Sequence, residues 1–178
     1  APRTAPRTVA VEVRYTAYGM PHVRAATLAG AGEGYGWAFA RENLCLTAEK
    51  LITLAGERSR HLGADSGYVD DFVGVRLTNL QSDAVYRYLL DSASVAAVRR
   101  AASRDVRALL AGYVTGFNRH VHGPPQPGET CREARWFRAI TEDDIWRRLT
   151  HVPLIMTSAL LLREIATASP PAAQTPDE

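Results

Sequence analysis

The sequence predicts an α+β chain, with one β-hairpin near its N-terminus and helices over most of the remainder. Two patterns carry this prediction. Apolar and polar residues alternate near the start of the chain, and beyond residue 36 apolar residues recur at steps of three and four. The 178 residues are 46% hydrophobic and 22% charged, which is typical of globular proteins and excludes wholesale disorder or a collagen-like repeat.

The hairpin prediction rests on two short segments joined by a turn. Residues 9–15 alternate apolar with polar side chains, which predicts a strand with one buried face. Residues 18–21 include Gly19 and Pro21 and indicate a turn, after which residues 22–25 form the returning strand. Because a two-stranded hairpin is marginally stable alone, we expect the first strand to join a larger sheet.

A long helix is predicted over residues 37–62, where small and apolar residues recur at helical spacing and Gly63 follows as a stop. Four glycines precede it at alternate positions, residues 30, 32, 34 and 36. Their spacing matches neither the phosphate-binding loop nor the dinucleotide-binding fingerprint. We interpret them as small residues that allow close packing.

Two helices are predicted after a connection at residues 64–80. Ser82 or Asp83 is expected to cap a short helix that runs through Leu90. A longer helix follows Ser103, with its apolar residues on one side, and ends near residue 123.

The last predicted helix begins at a capping box formed by Thr141 and Asp144. Apolar residues surround it between Leu149 and Ile165, which predicts burial around its whole circumference. Pro153 is expected to kink or break this helix. A helix of this kind and an unfinished sheet indicate that the chain is part of a larger molecule.

The charges favour no particular macromolecular partner. The 21 basic residues, of which only Lys50 is a lysine, are scattered among 19 acidic ones, so no nucleic-acid-binding footprint is expected. No apolar run reaches the ~18 residues of a membrane span. The chain begins without Met and ends in a polar, Pro-rich stretch. The missing Met indicates that the chain has been processed or trimmed, and removal of a secretory signal is one explanation.

Two cysteines, Cys45 and Cys131, leave two alternatives open. In an exported chain they would most simply pair with each other, and the long loop so closed would stabilise the fold by about 4 kcal/mol. In a cytosolic chain they would be two buried thiols. Neither cysteine has the spacing or the neighbouring histidines of a zinc site.

A search for catalytic or metal-binding side chains yields no complete active site. The five histidines lack metal-ligand spacing, and His120 and His122 are interpreted as surface residues. Ser59 lies on a charged helix end without an evident base, and Arg58 is assigned to a solvated or interface ion-pair network. If the chain belongs to an enzyme, we expect the chemistry to be supplied elsewhere.

Five segments, in order, resemble the penicillin-acylase-type enzymes, which are N-terminal-nucleophile hydrolases. They are residues 18–23, 34–45, 56–60, 112–118 and 136–145. Within this family, the run Asn43-Leu44-Cys45, residues 57–60 and the position of Cys131 ahead of Trp136 resemble one branch in particular. That branch contains aculeacin A acylase and the long-chain acyl-homoserine-lactone acylases.

The resemblance implies that the chain is the small alpha subunit of a secreted precursor that cleaves itself into alpha and beta chains. Residues 1–178 would form part of an αββα sandwich rather than an independent domain, with the hairpin joining the sheet of the large beta subunit. Residues 1–8 and 169–178 would be flexible ends. The nucleophile, usually Ser, would begin the beta chain and use its own α-amine as base, so no catalytic residue is expected here.

The resemblance also implies which residues bind the acyl group. Four residues of the last helix stand at the family's pocket positions: Val152, Pro153, Met156 and Thr157. Leu149 is assigned to the pocket with them because it shares a helix face with Val152 and Met156. Met156 and Thr157 stand where penicillin G acylase has an Arg-Phe pair, so an aliphatic chain or a phenoxyacetyl group is expected in place of phenylacetyl. Glu164 is displaced from the family's calcium-binding position, and neither a metal nor another cofactor is expected.

We therefore expect a secreted or periplasmic amidohydrolase that cleaves N-acyl amides with a hydrophobic acyl group. Lipopeptides, penicillin V and acyl-homoserine lactones are the substrate types that the resemblance implies. The alternative is a non-enzymatic, secreted helical domain that binds a hydrophobic ligand.

Overall fold

The computed structural model describes residues 11–70 and 74–170. In chain order the elements are β1 (Val11–Tyr15), β2 (Pro21–Ala25), α1 (Leu28–Leu54), α2 (Arg58–Leu62), β3 (Gly67–Val69), β4 (Arg76–Thr78), α3 (Asn79–Leu89), α4 (Ser92–Ala101), α5 (Arg104–Val121), α6 (Glu142–Ile155) and α7 (Leu162–Thr167). Two 3₁₀ turns cover Thr130–Glu133 and Ser158–Leu161. The predicted α+β class, mostly helical with an N-terminal hairpin, is confirmed.

The N-terminal hairpin packs its apolar face onto α1. Strands β1 and β2 are antiparallel, with Val11 opposite Ala25 and Tyr15 opposite Pro21. Val11, Val13 and Val23 converge on Gly34 of α1, where a Cβ would lie 2.5 Å from a methyl of Val23. The first residues of the predicted strand and the expected N-terminal tail, residues 1–10, lie outside the described residues, as do residues 171–178 of the expected C-terminal tail.

Helix α1 begins nine residues earlier than predicted, so the four glycines lie inside it. Its N-cap is Thr27, whose Oγ1 accepts a hydrogen bond from the Gly30 N–H at 3.0 Å. A Cβ on Gly32 would lie 1.9 Å from the Leu109 carbonyl oxygen, and one on Gly36 would lie 2.1 Å from that of Tyr113. The glycines therefore allow the backbones of α1 and α5 to touch, and their interpretation as packing residues is confirmed.

The predicted helix over residues 37–62 is two helices, because α1 stops at Leu54 and α2 begins at Arg58. Between them Gly56 takes a positive φ of 66°, which favours glycine. Asp83, expected to cap its own helix, instead accepts hydrogen bonds from the N–H groups of Arg58 and Ser59 and so caps α2.

The middle of the chain differs from the sequence expectations in three further respects. Helix α3 begins at Asn79, and its cap is the reciprocal pair Thr78 and Gln81 rather than Ser82 or Asp83. Helix α4 was not predicted, although Asp91 caps it through hydrogen bonds from the N–H groups of two following residues. The predicted connection over residues 64–80 contains the short antiparallel pair β3–β4.

The predicted starts of α5 and α6 are confirmed. Ser103 caps α5, and Thr141 and Asp144 form the capping box of α6. Helix α6 ends two residues after Pro153, which agrees with the helix-breaking effect of proline. The residues of this chain do not bury the whole circumference, since Val152 is 49% and Met156 79% exposed, so the expected burial would need a partner chain.

The core lies between α1, α5 and α6, with Leu44, Leu51, Phe117 and Ile145 among its buried members. Cys45 of α1 and Cys131 form a disulfide, with their Cα atoms 5.3 Å apart. Of the two alternatives for the cysteines, a disulfide or two buried thiols, the structure contains the disulfide. The bond holds the loop that precedes α6 against the middle of α1.

Candidate functional site

The five residues assigned to the acyl pocket lie on the solvent-facing side of the C-terminal half of α6 or just beyond its end. All five are exposed: Leu149, Val152, Pro153, Met156 and Thr157. The spacing of the first four, at steps of three, one and three, places them on one face of the helix. An exposed apolar helix face of this kind is typical of a surface that another chain or a ligand covers.

A groove of about 230 Å³ opens along this face of α6. Its lining comes from three helices: Tyr35 and Phe39 of α1, Leu110 and Tyr113 of α5, and Ile145, Arg148, Leu149 and Val152 of α6. Two of the assigned pocket residues, Leu149 and Val152, are thus brought together in it. Pro153, Met156 and Thr157 lie outside its lining.

Three aromatic rings form one wall of the groove. The Tyr35 and Tyr113 ring centroids are 5.5 Å apart, and Phe39 lies 5.8 Å from Tyr35 and 6.2 Å from Tyr113. Such tilted ring pairs are the favourable arrangement for aromatic side chains. Burial raises the pKa of the Tyr113 hydroxyl, so this hydroxyl is a neutral hydrogen-bond donor at physiological pH.

These aromatic residues were missed by sequence reasoning because the wall combines helices that are far apart in the chain. The spacing of Tyr35 and Phe39 by four residues was the available signal, since it places two rings on one face of α1. Gly36 lies behind this wall. Because it has no side chain, the α5 backbone at Tyr113 can approach α1 closely.

Arg58 was assigned to a solvated or interface network, and this is wrong, since its side chain is only 6% exposed. Its Nη1 donates to Glu49 and to Thr53, each at 2.9 Å, and its Nε donates to Asn79 at 2.9 Å. The guanidinium also stacks 3.8 Å from the centre of the Tyr68 ring. Arg58 therefore joins α1, α2 and α3 as a structural residue.

Ser59 has an acidic partner that the sequence did not reveal. Its hydroxyl donates to Asp83, the carboxylate that caps α2. Asp83 also accepts the N–H groups of Arg58 and Ser59 at 2.9 and 2.8 Å, so both of its oxygens are occupied. Asp83 therefore serves as the cap of α2, and the Ser59 hydroxyl adds a third hydrogen bond to this cap.

The histidine expectation is wrong for His120, which is buried rather than exposed. Its Nε2 lies 2.5 Å from one carboxylate oxygen of Glu129. The other oxygen of Glu129 accepts a hydrogen bond from the Arg132 Nε at 2.6 Å. Although burial opposes the ionisation of Glu129, hydrogen bonds from the Gln126 N–H, His120 and Arg132 lower its pKa. This cluster secures the loop between α5 and α6. Within the described ranges, no group of three or more Asp, Glu, His or Cys side chains that could hold a metal ion is present.

Comparison with known proteins decides the family. A model of the penicillin amidase family matches residues 10–174. The chain belongs to this family. The resemblance that the five sequence segments indicated is thereby confirmed.

Curated relatives of this penicillin amidase chain include both members of the branch that the motifs indicated. It is 35% identical to an acyl-homoserine lactone acylase PvdQ of Pseudomonas syringae pv. syringae, over 93% of this chain and 21% of that protein. It is 34% identical to aculeacin-A acylase of Actinoplanes utahensis, over 92% of this chain and 21% of that protein. The chain thus spans about a fifth of the length of these relatives.

The fold of this penicillin amidase chain also matches a solved structure. A thermostable penicillin G acylase from Alcaligenes faecalis superimposes with a TM-score of 0.58, covering 89% of this chain and 76% of that chain at 22% identity. In the part of the chain that the structure describes, no helix is long and apolar enough to cross a membrane.

Proposed function

We propose that this chain is the small, alpha subunit of an extracytoplasmic acylase that hydrolyses N-acyl amides with a hydrophobic acyl group. The observation that carries the proposal is the aromatic and aliphatic groove beside the exposed face of α6. Family membership and relatives named as acylases support it. In the groove Leu149 and Val152 contact the acyl chain, and each methylene buried there contributes about 0.8 kcal/mol to binding.

The chemical step belongs to the partner in this proposal. The N-terminal Ser of a larger beta chain attacks the amide carbonyl carbon, and its α-amine takes the proton from the hydroxyl. The C–N bond breaks, the amine leaves with that proton, and the acyl group remains as an ester on the Ser. Water then hydrolyses the ester, which releases the fatty or related acid and restores the Ser.

The surface of the chain supports a shared core with such a partner. Val152, Met156, Leu160 and Leu161 are all 49% or more exposed, which is unusual for a run of large apolar side chains on a free surface. At the other end of the chain the β1–β2 hairpin pairs with no further strand among the residues the structure describes. An antiparallel pair of this size gains stability by joining a larger sheet.

The disulfide supports an extracytoplasmic location. Bonds such as Cys45–Cys131 form and persist in oxidising compartments and are rare in the cytosol. The groove itself, taken without the family, is equally compatible with a secreted domain that only binds a hydrophobic ligand.

The test is purification of the protein from its native source, followed by assays with N-acyl amides of graded chain length. We expect the chain to co-purify with a larger chain that begins with Ser, and the complex to release the free amine. A stable monomer of this chain alone, or a complex that binds acyl compounds without hydrolysing them, would contradict the proposal and favour the binding domain.

A further inference from the structure

We propose that the groove between α1, α5 and α6 accepts acyl groups whose far end carries a carboxylate, and that Arg148 is the residue that binds it. This inference rests on the proposed acylase function and specifies its substrate class.

Three residues supply polar side-chain groups to the lining of the groove. Arg148 is its single charged residue, and the groove contains no acidic side chain. The hydroxyls of Tyr35 and Tyr113 are its other donors, on rings whose centroids are 5.5 Å apart. Arg148 and Tyr113 line the same groove, and the positive charge of Arg148 acts to lower the pKa of the Tyr113 hydroxyl, against the larger effect of burial.

These three donors have no hydrogen-bond partner among the residues that the structure describes. No hydrogen bond or ion pair between described residues uses the Arg148 guanidinium, the Tyr35 hydroxyl or the Tyr113 hydroxyl. A guanidinium beside apolar walls has lost part of its hydration, so an anion that reaches it makes a stronger interaction than it would in water. Carboxylates are the natural partner, because the planar fork of arginine donates to both of their oxygens.

The rest of the groove is suited to methylene groups. Leu110, Ile145, Leu149 and Val152 supply aliphatic surface along it, and burial there is favourable for any straight chain. The complementary ligand is therefore an apolar chain that ends in an anion. The scissile amide would lie at the opposite end of that chain.

The neighbouring residue provides a matched control. Arg147 carries the same side chain one position earlier, but it lines a different cavity together with Arg99 and Asp143. A substitution there changes the charge of α6 by the same amount without touching the groove.

The experiment uses the complete two-chain acylase and two substrates with the same amine. One carries an octanoyl group, and the other carries the same chain with its terminal methyl replaced by a carboxyl group. We expect Arg148→Gln to lower kcat/KM for the carboxylated substrate about tenfold relative to the octanoyl substrate, which is typical of the loss of one charge-assisted interaction. Arg148→Lys should retain part of the ratio, and Arg147→Gln should leave it unchanged.

A binding measurement separates this effect from damage to catalysis. Octanedioate and octanoate, the free acids of the two substrates, are compared as inhibitors, and Arg148→Gln should weaken only the diacid. An unchanged ratio of kcat/KM values in Arg148→Gln, or an equal loss on both substrates, overturns the inference while the acylase function stands. Hydrolysis of neither substrate by the unmodified enzyme overturns the proposed function itself.

Discussion

His151 is a buried imidazole whose hydrogen-bonding capacity is not fully used. It is 4% exposed, its Nδ1 has no hydrogen-bond partner among the described residues, and its ring packs edge-on against Tyr86 at 5.5 Å. Burial lowers its pKa to about 4, helped by the positive charges of Lys50 and Arg148 and opposed by Asp70. His151 is therefore neutral at physiological pH.

This residue predicts a pH dependence of stability. Between the unfolded pKa of 6.5 and the folded pKa of about 4, the unfolded chain binds more protons than the folded one. The free energy of unfolding should therefore fall as the pH is lowered through this window, by about 3 kcal/mol at most from this group. Acid titration of unfolding for the purified protein measures it.

A matched pair of variants isolates the contribution. His151→Phe fills a similar volume beside Tyr86 but cannot take up a proton, so its stability should depend less on pH between 6.5 and 4. His61→Gln alters a histidine that is not buried and should keep the slope of the unmodified protein. Identical slopes for all three proteins would show that His151 does not titrate as described.

Val152 tests the acyl groove at the scale of one side chain. It lines the groove and is 49% exposed, so Val152→Trp fills space that the acyl chain occupies in the proposed complex. We expect the preferred acyl chain to become shorter, with kcat/KM for long chains falling tenfold or more relative to short ones, because several methylenes lose about 0.8 kcal/mol each.

The control for this prediction is Tyr88→Trp, at an exposed position of α3 that is absent from the groove lining. It should leave the chain-length profile as it is. A profile that is the same in Val152→Trp and in the unmodified enzyme removes Val152 from the pocket.

At the scale of the elements, local signals predicted the starts of α5 and α6. Ser103 and the pair Thr141 and Asp144 were found because a cap acts within three residues of the sequence. The cap of α2 was not found, because Asp83 reaches it from another helix. The hydrogen bonds of Asp83 to α2 join residues about 25 positions apart in the sequence, so a local sequence pattern does not predict them.

The start of α1 was missed for a different physical reason. Glycine disfavours helix by about 1 kcal/mol per residue relative to Ala, so four glycines at alternate positions do not predict a helix. Contact between the α1 and α5 backbones reverses this preference, since Gly32 and Gly36 face carbonyl oxygens of α5 at distances where no Cβ fits.

This contact predicts that Gly36→Ala destabilises the protein although alanine favours helix. The new Cβ would lie 2.1 Å from the Tyr113 carbonyl oxygen, and we expect a cost of about 1–3 kcal/mol from overpacking. Thermal unfolding of the purified protein measures the loss. The displacement of α5 should also disturb the ring contacts of Tyr35 and Tyr113 and thereby weaken hydrolysis of long-chain substrates.

Gly123→Ala is the comparison for this variant. Gly123 lies just past α5. A Cβ on Gly123 would lie 3.3 Å from its nearest neighbour, the His120 carbonyl oxygen, whereas the nearest distance at Gly36 is 2.1 Å. It should unfold within a few degrees of the unmodified protein. Equal stability of Gly36→Ala and Gly123→Ala would contradict the close approach of the two helices.

At the scale of the whole molecule, the sequence predicted the class of fold and the family but only two of the eight residues that line the groove. Leu149 and Val152 were placed by their position on α6, whereas Tyr35, Tyr113 and Arg148 join them only through the packing of three helices. The predicted burial of α6 is not completed by this chain, because the apolar surface around Met156 faces solvent. In the proposed complex this surface contacts the beta subunit or the substrate.

The central claim is that this chain binds the acyl group while a partner chain carries the nucleophile. Its most direct test is the intact mass of each chain after the native protein is mixed with an N-acyl substrate and quenched in acid. The account predicts one added acyl group on the larger chain, at its N-terminal Ser, and an unmodified mass for this chain. An acyl group covalently attached to this chain, or the absence of any larger chain, would contradict it.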